Sequence, residues 1–169
     1  MVKFVGDPLV ILLVEDNDAH AELVLRSMKD HRVANIIYHA IDGEKALDFL
    51  FHRGVYKEMK SIPRPNLILL DLRLPRVDGL QVLKTIKETP YLMQIPIFVL
   101  TSSDADKDIV SSYGYHANSY VVKPFDFRKF TRLMQEIGCY WLGWNRIPLH
   151  DLNREFPIGK IKEPSLIEL

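Results

Sequence analysis

The sequence has a single cysteine and no excess charge of either sign. Cys139 therefore cannot form an internal disulfide. The 22 basic and 22 acidic side chains cancel, which leaves no basic field for nucleic acid or anionic membranes. No apolar run approaches the ~18 residues that span a bilayer, and residues 1–8 lack the features of a signal peptide. We expect a cytoplasmic protein that binds neither nucleic acid nor membranes.

A glycine-rich loop is also missing after the first apolar run, which argues against a dinucleotide-binding oxidoreductase. Instead, short apolar runs typical of buried strands alternate with segments of helical periodicity. The predicted strands are 10–14, 35–39, 66–70, 96–100 and 119–122, and the predicted helices are 19–29, 43–51, 79–88, 106–113 and 127 to about 142. Because parallel neighbours need crossover connections, this alternation predicts a doubly wound α/β fold with helices on both faces of a parallel sheet.

Chemically active side chains follow four of the predicted strands. In chain order these are Glu15 and Asp16, then Asp71, then Thr101 and Ser102, and finally Lys123. The carboxyl ends of parallel strands meet at one edge, where doubly wound sheets bind ligands. Carboxylates gathered there repel one another unless a cation intervenes, and oxygen ligands of this kind suit Mg²⁺. A carboxylate nucleophile, a cation site, a hydroxyl and an ammonium together are the components of a phosphoryl-transfer site.

Four motifs at these strand ends resemble the receiver domain of two-component response regulators. They are Val14-Glu15-Asp16-Asn17, Leu69-Leu70-Asp71-Leu72 with Leu74-Pro75 and Asp78-Gly79, Val99-Leu100-Thr101-Ser102, and Val121-Val122-Lys123-Pro124. The resemblance runs from about residue 9 to about residue 138 and implies a flavodoxin-like sheet of five strands in the order 2-1-3-4-5. We predict a receiver domain over 8–144 and a C-terminal extension over 145–169, used for dimerisation or surface packing.

The resemblance also implies how the acidic residues act. Asp71 would accept a phosphoryl group from a histidine kinase or a phosphotransfer protein. Mg²⁺ would be bound directly by Asp16 and Asp71, through water by Glu15, and by the backbone carbonyl of Arg73. Such a protein is a phosphoacceptor that assists its own phosphorylation and dephosphorylation, and not a conventional enzyme. It signals through conformational change and protein contacts.

Three further residues take roles by the same resemblance. Lys123 would neutralise a phosphoryl oxygen, Thr101 would move toward another, and Tyr120 would swing inward as the threonine moves. His116 occupies a position where the family usually has glycine, so the turn into the last strand is expected to differ in shape.

Two other functions fit part of this residue set. A magnesium-dependent aspartyl-phosphate hydrolase also uses a carboxylate nucleophile, but such enzymes usually carry a second acid two residues later, where this chain has Arg73. A phosphorylation-independent, receiver-like scaffold would not need the complete set of Asp16, Asp71, Thr101 and Lys123.

The segment 52–65 is longer than most connections in α/β proteins. Its length and its Arg53-Gly54-x-Tyr56 pattern resemble the receivers that partner cyanobacterial and bacterial phytochromes, which are mostly stand-alone. The resemblance therefore implies a phytochrome-type histidine kinase as the phosphodonor.

The final predicted helix has two apolar rows where packing on a sheet needs one. The core-facing row is Phe127, Phe130, Met134, Ile137 and Trp141, and the second is Leu133, Tyr140 and Trp144. The second row predicts a homodimer through the final helix and the tail, with packing of the tail on the same molecule as the alternative. The tail is too short for a DNA-binding module.

Overall fold

The computed structural model of the chain describes residues 9–29, 35–59 and 62–145. The strands are β1 (Leu9–Val14), β2 (Asn35–Ala40), β3 (Leu67–Leu70), β4 (Ile97–Thr101) and β5 (Ser119–Val122). The helices are α1 (Asp18–Lys29), α2 (Gly43–Leu50), α3 (Gly79–Glu88), α4 (Asp106–Gly114) and α5 (Phe127–Gly138), with a 3-10 turn at Gly54–Tyr56 and a π-helical segment at Cys139–Trp144. Every predicted strand and helix is present, and all but α5 have the predicted ends to within one residue.

The five strands form one parallel sheet in the order β2-β1-β3-β4-β5, which confirms the predicted fold. Val14 at the end of β1 lies opposite Ala40 of β2 and Leu70 of β3, and Thr101 at the end of β4 lies opposite Val122 of β5. The residues that follow these strands therefore emerge at one edge of the sheet.

Alternation along the strands divides the core between the two faces of the sheet. Leu12 and Ile68 point to the face covered by α2 and α3, whereas Leu13 and Leu69 point to the face covered by α1 and α5. The residues of β1, β3 and β4 are almost all buried on both faces, which explains their continuous apolar sequences. This rigid central sheet holds the strand ends in fixed positions.

Side-chain caps fix where most of the helices begin. The carboxylates of Asp42, Asp78 and Asp126 accept backbone N–H bonds at the starts of α2, α3 and α5, a capping role that aspartate favours. The side chain of Asn17 accepts from the N–H of His20 at the start of α1. Helix α4 follows a different pattern.

No side chain at the cap position closes the start of α4. The residue at the cap position is Ala105, which has no side-chain bond to offer. The Ser103 hydroxyl accepts from the Ala105 N–H at 3.4 Å instead.

The last helix differs from its prediction in two respects. After Gly138 it continues as a π-helical segment, in which the Asn145 N–H donates to the Tyr140 carbonyl at 2.8 Å. Phe127, the first residue of α5, was expected to face the core but is 61% exposed. Leu133 packs against the core, so the exposed part of the second row is Tyr140 and Trp144.

No helix in the described part of the chain is both long and apolar enough to cross a membrane. Residues 146–169 lie outside the described residues, so the division at residue 145 and the role of the tail stay predictions.

Candidate functional site

Three carboxylates meet at the carboxyl edge of the sheet. Glu15 and Asp16 follow β1 and Asp71 follows β3, and the adjacent pairing of these strands brings ligand oxygens of all three within 4.8 Å of one another. The Asp71 N–H donates to the Val14 carbonyl at 3.0 Å, which continues the β1–β3 ladder as far as Asp71. Glu15 and Asp71 are buried, whereas Asp16 is exposed to solvent. A cluster of oxygen ligands with one open side could hold a hard divalent cation.

Lys123 brings a buried positive charge into this cluster. Its backbone N–H donates to the Thr101 carbonyl at 2.7 Å, directly after the β4–β5 pairing. Its ammonium donates to Glu15 Oε2 at 2.5 Å and to Asp71 Oδ2 at 2.6 Å. Only 5% of Lys123 is exposed. A desolvated ammonium of this kind interacts strongly with each carboxylate.

The two buried carboxyls respond differently to the ammonium they share. Burial by itself would raise the pKa of Asp71, but the charge and hydrogen bond of Lys123, helped by bonds from the Arg73 N–H and the Thr101 hydroxyl, outweigh it and lower that pKa. For Glu15 burial is the larger effect, and its pKa is raised despite Lys123. A lowered pKa favours the ionised form of Asp71, which is the form that a carboxylate nucleophile requires.

Glu15 is held more firmly than the sequence suggested. Besides Lys123, its side chain accepts from the Asn17 N–H at 3.2 Å, and its carbonyl is 2.8 Å from His39 Nε2. The predicted role of Glu15 was a water-mediated contact with the metal. The structure adds a second role, in which the Glu15 carboxylate holds the Lys123 ammonium beside Asp71.

The end of β4 brings hydroxyl side chains to the site. Thr101 is fully buried, and its side chain contributes a hydrogen bond to Asp71. Ser102 is exposed beside it, and the Ser103 N–H is 3.4 Å from Thr101 Oγ1. Tyr120 is half-buried in β5, and its hydroxyl donates to the Ser103 carbonyl at 2.9 Å. Thr101 and Tyr120 are thus connected through Ser103.

Comparison with known proteins agrees with this geometry. The family model of the response regulator receiver domain matches residues 11–135. The chain belongs to this family. The probable methanogenesis regulatory protein FilR2 of Methanothrix harundinacea is 46% identical over 143 residues, which are 84% of this chain and 89% of that protein. Response regulator Rcp1 of Synechocystis is 40% identical over 141 residues, which are 83% of this chain and 94% of Rcp1.

Solved receiver structures show the same fold. The Mn²⁺-bound form of Rcp1 superposes with a TM-score of 0.80 and covers 83% of this chain and 99% of that one. The phosphorylated cyanobacterial phytochrome response regulator RcpA, 35% identical, superposes with a TM-score of 0.78 and the same coverage. This chain is a receiver-domain response regulator homologous to both.

Two residues of this receiver's site were missed in the sequence. His20 Nδ1 lies 3.4 Å from the Lys123 ammonium and 3.7 Å from Glu15 Oε1, while its ring contacts the edge of Phe130. A clue was available, because His20 lies in the first turn of α1, three residues after the Asn17 cap, and a residue there faces back over the strand end.

The second missed residue is Asp108, which looks in the sequence like an ordinary surface acid in the first turn of α4. It is buried, and it pairs with the guanidinium of Arg73. Arg73 was predicted to act through its backbone carbonyl. Its backbone N–H donates to Asp71 Oδ1 at 3.1 Å, and its side chain turns toward α4.

Proposed function

We propose that this receiver takes a phosphoryl group onto Asp71 from a histidine kinase or a phosphotransfer protein, with the help of Mg²⁺, and signals by changing shape. The observation that carries the proposal is the buried Lys123 ammonium, bonded at once to Asp71 and Glu15 within the acidic cluster. A structural ion pair would not require a third acid, Asp16, open to solvent beside it.

The residues at the sheet edge fit Mg²⁺. Asp16 and Asp71 would bind it directly with the Arg73 carbonyl, and Glu15 would reach it through water. Their donors are all oxygens, which Mg²⁺ prefers, and the exposed side leaves room for the waters that it retains. When bound, the cation supplies positive charge beside the phosphoryl oxygens. The Mn²⁺-bound form of the relative Rcp1 supports a divalent cation here.

In the transfer, a carboxylate oxygen of Asp71 attacks the phosphorus of the donor. An O–P bond forms as the P–N bond to the donor histidine breaks, and the departing imidazole keeps the electron pair and takes up a proton. Lys123 is placed to neutralise one phosphoryl oxygen and the Thr101 hydroxyl to donate to another. Both are buried, so their interactions with phosphoryl oxygens are weakly screened by water.

Thr101 and Tyr120 form the proposed switch. If the Thr101 hydroxyl moves to a phosphoryl oxygen, it leaves its position near the Ser103 N–H. Ser103 also accepts the Tyr120 hydroxyl through its carbonyl. A shift of this segment therefore changes the position of Tyr120 and the surface formed by α4 and β5.

Labelling by a small phosphodonor tests the proposal. The purified protein is incubated with acetyl phosphate, and the intact mass is measured with and without Mg²⁺. We expect one acid-labile phosphoryl group, absent in Asp71→Asn and absent without the cation, and retained in the exposed control Asp18→Asn. Labelling that survives in Asp71→Asn would contradict the proposal. Multiple turnover of a phosphate ester would favour the hydrolase.

A phytochrome-type histidine kinase is the proposed donor, because the relative RcpA is a phytochrome response regulator. The resemblance of the Arg53-Gly54-x-Tyr56 pattern to phytochrome-partner receivers supports this as well, and the pattern is held in place by ring contacts. Tyr56 contacts the edge of Phe49 with ring centres 5.3 Å apart, and the Arg53 guanidinium lies 4.7 Å from the Phe51 ring centre. Phosphotransfer to Asp71 from an autophosphorylated phytochrome-type kinase, faster than from an unrelated histidine kinase, is the expected result.

A homodimer through the final helix and tail is the proposed assembly. Tyr140 and Trp144 are 56% and 78% exposed at the end of this helix, and apolar side chains of that size favour burial in an interface. Light scattering after size exclusion tests it with Trp144→Ser, and Val55→Ser serves as a control at another exposed apolar position. A monomeric wild type at tens of micromolar, with and without phosphorylation, would contradict the dimer.

A further inference from the structure

Polar side chains attach helix α4 to the rest of the molecule. Its buried residues are Asp108 and Ser112, of which Ser112 has a hydroxyl without a hydrogen-bond partner among the described residues, and its apolar residues Ile109, Val110 and Tyr113 are half-buried or exposed. Helix α3, by contrast, buries Val82, Leu83 and Ile86. Since burial of aliphatic side chains is the main stabilising contribution to helix packing, α4 depends on its polar contacts more than its neighbour does.

Asp108 provides the principal polar contact. Its carboxylate is 3% exposed. It pairs with the Arg73 guanidinium and accepts the Ser103 hydroxyl at 2.5 Å. The same guanidinium nitrogen lies 3.2 Å from Ser103 Oγ. A buried carboxylate that loses its cationic partner is strongly destabilised, so the position of α4 is coupled to the position of the Arg73 side chain.

Arg73 is also tied to the phosphorylation site. It is two residues from Asp71, and its N–H donates to Asp71 Oδ1. Its side chain is 52% exposed, so the guanidinium can leave α4 without first unpacking a core. The Arg73 backbone N–H bonds to the Asp71 carboxylate, whereas its guanidinium pairs with Asp108. In this structure the guanidinium therefore serves Asp108.

We propose that Asp108 is a positioning residue that holds the Arg73 guanidinium against α4 in the unphosphorylated protein and yields it to the phosphoryl group on Asp71. The inference rests on the proposed phosphorylation of Asp71. A phosphoryl group carries about −1.5 to −2 charge and three acceptor oxygens, against a single charge on Asp108. Guanidinium groups bind such oxygens in pairs. Transfer of Arg73 leaves Asp108 without its cation and loosens the start of α4.

The loosening reaches Tyr120 because the same residues surround its hydroxyl. Burial raises the pKa of Tyr120, while Asp108 and Arg73 act on that hydroxyl with opposite effects. Ser103 bonds to Asp108 through its hydroxyl and to Tyr120 through its carbonyl. Departure of Arg73 therefore changes the electrostatics and the geometry around Tyr120 together.

The lifetime of the phosphoryl group tests the positioning role. Wild type, Asp108→Asn, Arg73→Ala and the double variant are labelled with acetyl phosphate and Mg²⁺, and the loss of the label is followed by intact mass after the donor is removed. Asp108→Asn frees Arg73 to shield the phosphoryl group, so we expect a lifetime several-fold longer than in wild type. In the Arg73→Ala background the same substitution should have no effect. Asp106→Asn, an exposed acid in the same turn, is the matched control.

Hydrogen exchange of α4 provides a second readout, which does not depend on Asp108→Asn folding. Phosphorylation should increase amide exchange over residues 106–114 in the wild type. Arg73→Ala should show faster exchange before phosphorylation and a smaller further increase after it than the wild type, because only the contribution of Thr101 and Tyr120 remains. An increase in Arg73→Ala equal to that of the wild type would overturn the inference.

The outcomes separate the inference from the function on which it rests. If the wild type takes no label, both fail. If it takes the label but Asp108→Asn changes the lifetime equally with and without Arg73, the phosphoacceptor function stands, and Asp108 is only a structural or long-range electrostatic element.

Discussion

The ammonium of Lys123 lies 2.6 Å from Oδ2 of Asp71, although 52 residues separate the two in the sequence. Strand β4 lies between the strands that carry them, so the long lysine side chain reaches across its end. Glu15 on the far side accepts the same ammonium. The contact links the first, third and fifth strands through one charge, and the low pKa of Asp71 depends on it.

Replacing Lys123 with methionine should reverse the direction of the Asp71 pKa shift. Burial alone raises that pKa, and the ammonium is the main influence that lowers it. Without Lys123 we expect the pKa of Asp71 to lie above the ordinary value for aspartate. A ¹³C titration of the carboxyl carbon in the metal-free protein measures it, with the exposed Lys129→Met as the control.

The same substitution has a defined effect on stability. In the wild type the lowered pKa of Asp71 contributes stability that is present above the unfolded-state pKa and lost as the pH falls through the folded-state pKa. In Lys123→Met the raised pKa contributes stability only at low pH, and it is lost as the pH rises through the folded-state value. The free energy of unfolding of Lys123→Met, measured with urea, should therefore fall further below the wild-type value at pH near 7 than at acid pH. A deficit independent of pH would contradict the pairing.

Gly79→Ala should destabilise the protein and disturb the proposed phosphorylation site. A Cβ at Gly79 would lie 2.2 Å from the Asp71 carbonyl oxygen and 2.4 Å from Leu72 Cα, both backbone atoms. We expect a loss of about 1–3 kcal/mol or more in the free energy of unfolding, together with slower labelling of Asp71. Gly114→Ala is the matched control, because a Cβ there meets nothing within 4 Å. That control should be neutral, or more stable by about 0.4–1 kcal/mol.

Much of this site could be predicted because strand ends in a parallel sheet converge. The short apolar runs before Glu15, Asp71 and Lys123 fix the strands, and alternation with helices fixes the edge at which they finish. The caps at Asp42, Asp78 and Asp126 follow from local hydrogen bonding, which is encoded within a few residues.

Contacts that depend on tertiary packing could not be predicted in this way. Asp108 looks like a helix-terminal acid, and only the burial of α4's polar face shows that it is paired with Arg73. Phe127 fits the apolar spacing of α5, yet it is the first residue of that helix and its ring is exposed. Periodicity shows on which face of a helix a residue lies, but it does not show how much of that face is covered by the rest of the protein.

His116→Gly should stabilise the receiver. His116 has φ of 63° in the turn before β5, in the left-handed region, which costs an L-residue roughly 1–2 kcal/mol and glycine nothing. Glycine also loses more backbone entropy on folding, so we expect a net gain of about 0.5 kcal/mol in the free energy of unfolding. Lys107→Gly, on the exposed side of α4, should instead lose about 1 kcal/mol. Thermal unfolding of both variants measures the contrast, and equal losses would show that the turn adopts another conformation.

Asp16→Asn should separate metal binding from stability. Asp16 is exposed and makes no hydrogen bond or ion pair within the described part of the chain. Removing its charge relieves repulsion from Glu15 and Asp71. We therefore expect the free energy of unfolding in metal-free buffer to be unchanged or slightly higher. Because Asp16 is a direct ligand in the proposed site, its replacement should weaken Mn²⁺ binding by about tenfold or more. Electron paramagnetic resonance of Mn²⁺ measures the change in affinity. Because a bound ion stabilises only the folded state, millimolar Mg²⁺ should raise the unfolding free energy of the wild type and of the exposed control Asp18→Asn, but not that of Asp16→Asn. Equal stabilisation of all three proteins would place the cation away from the strand ends.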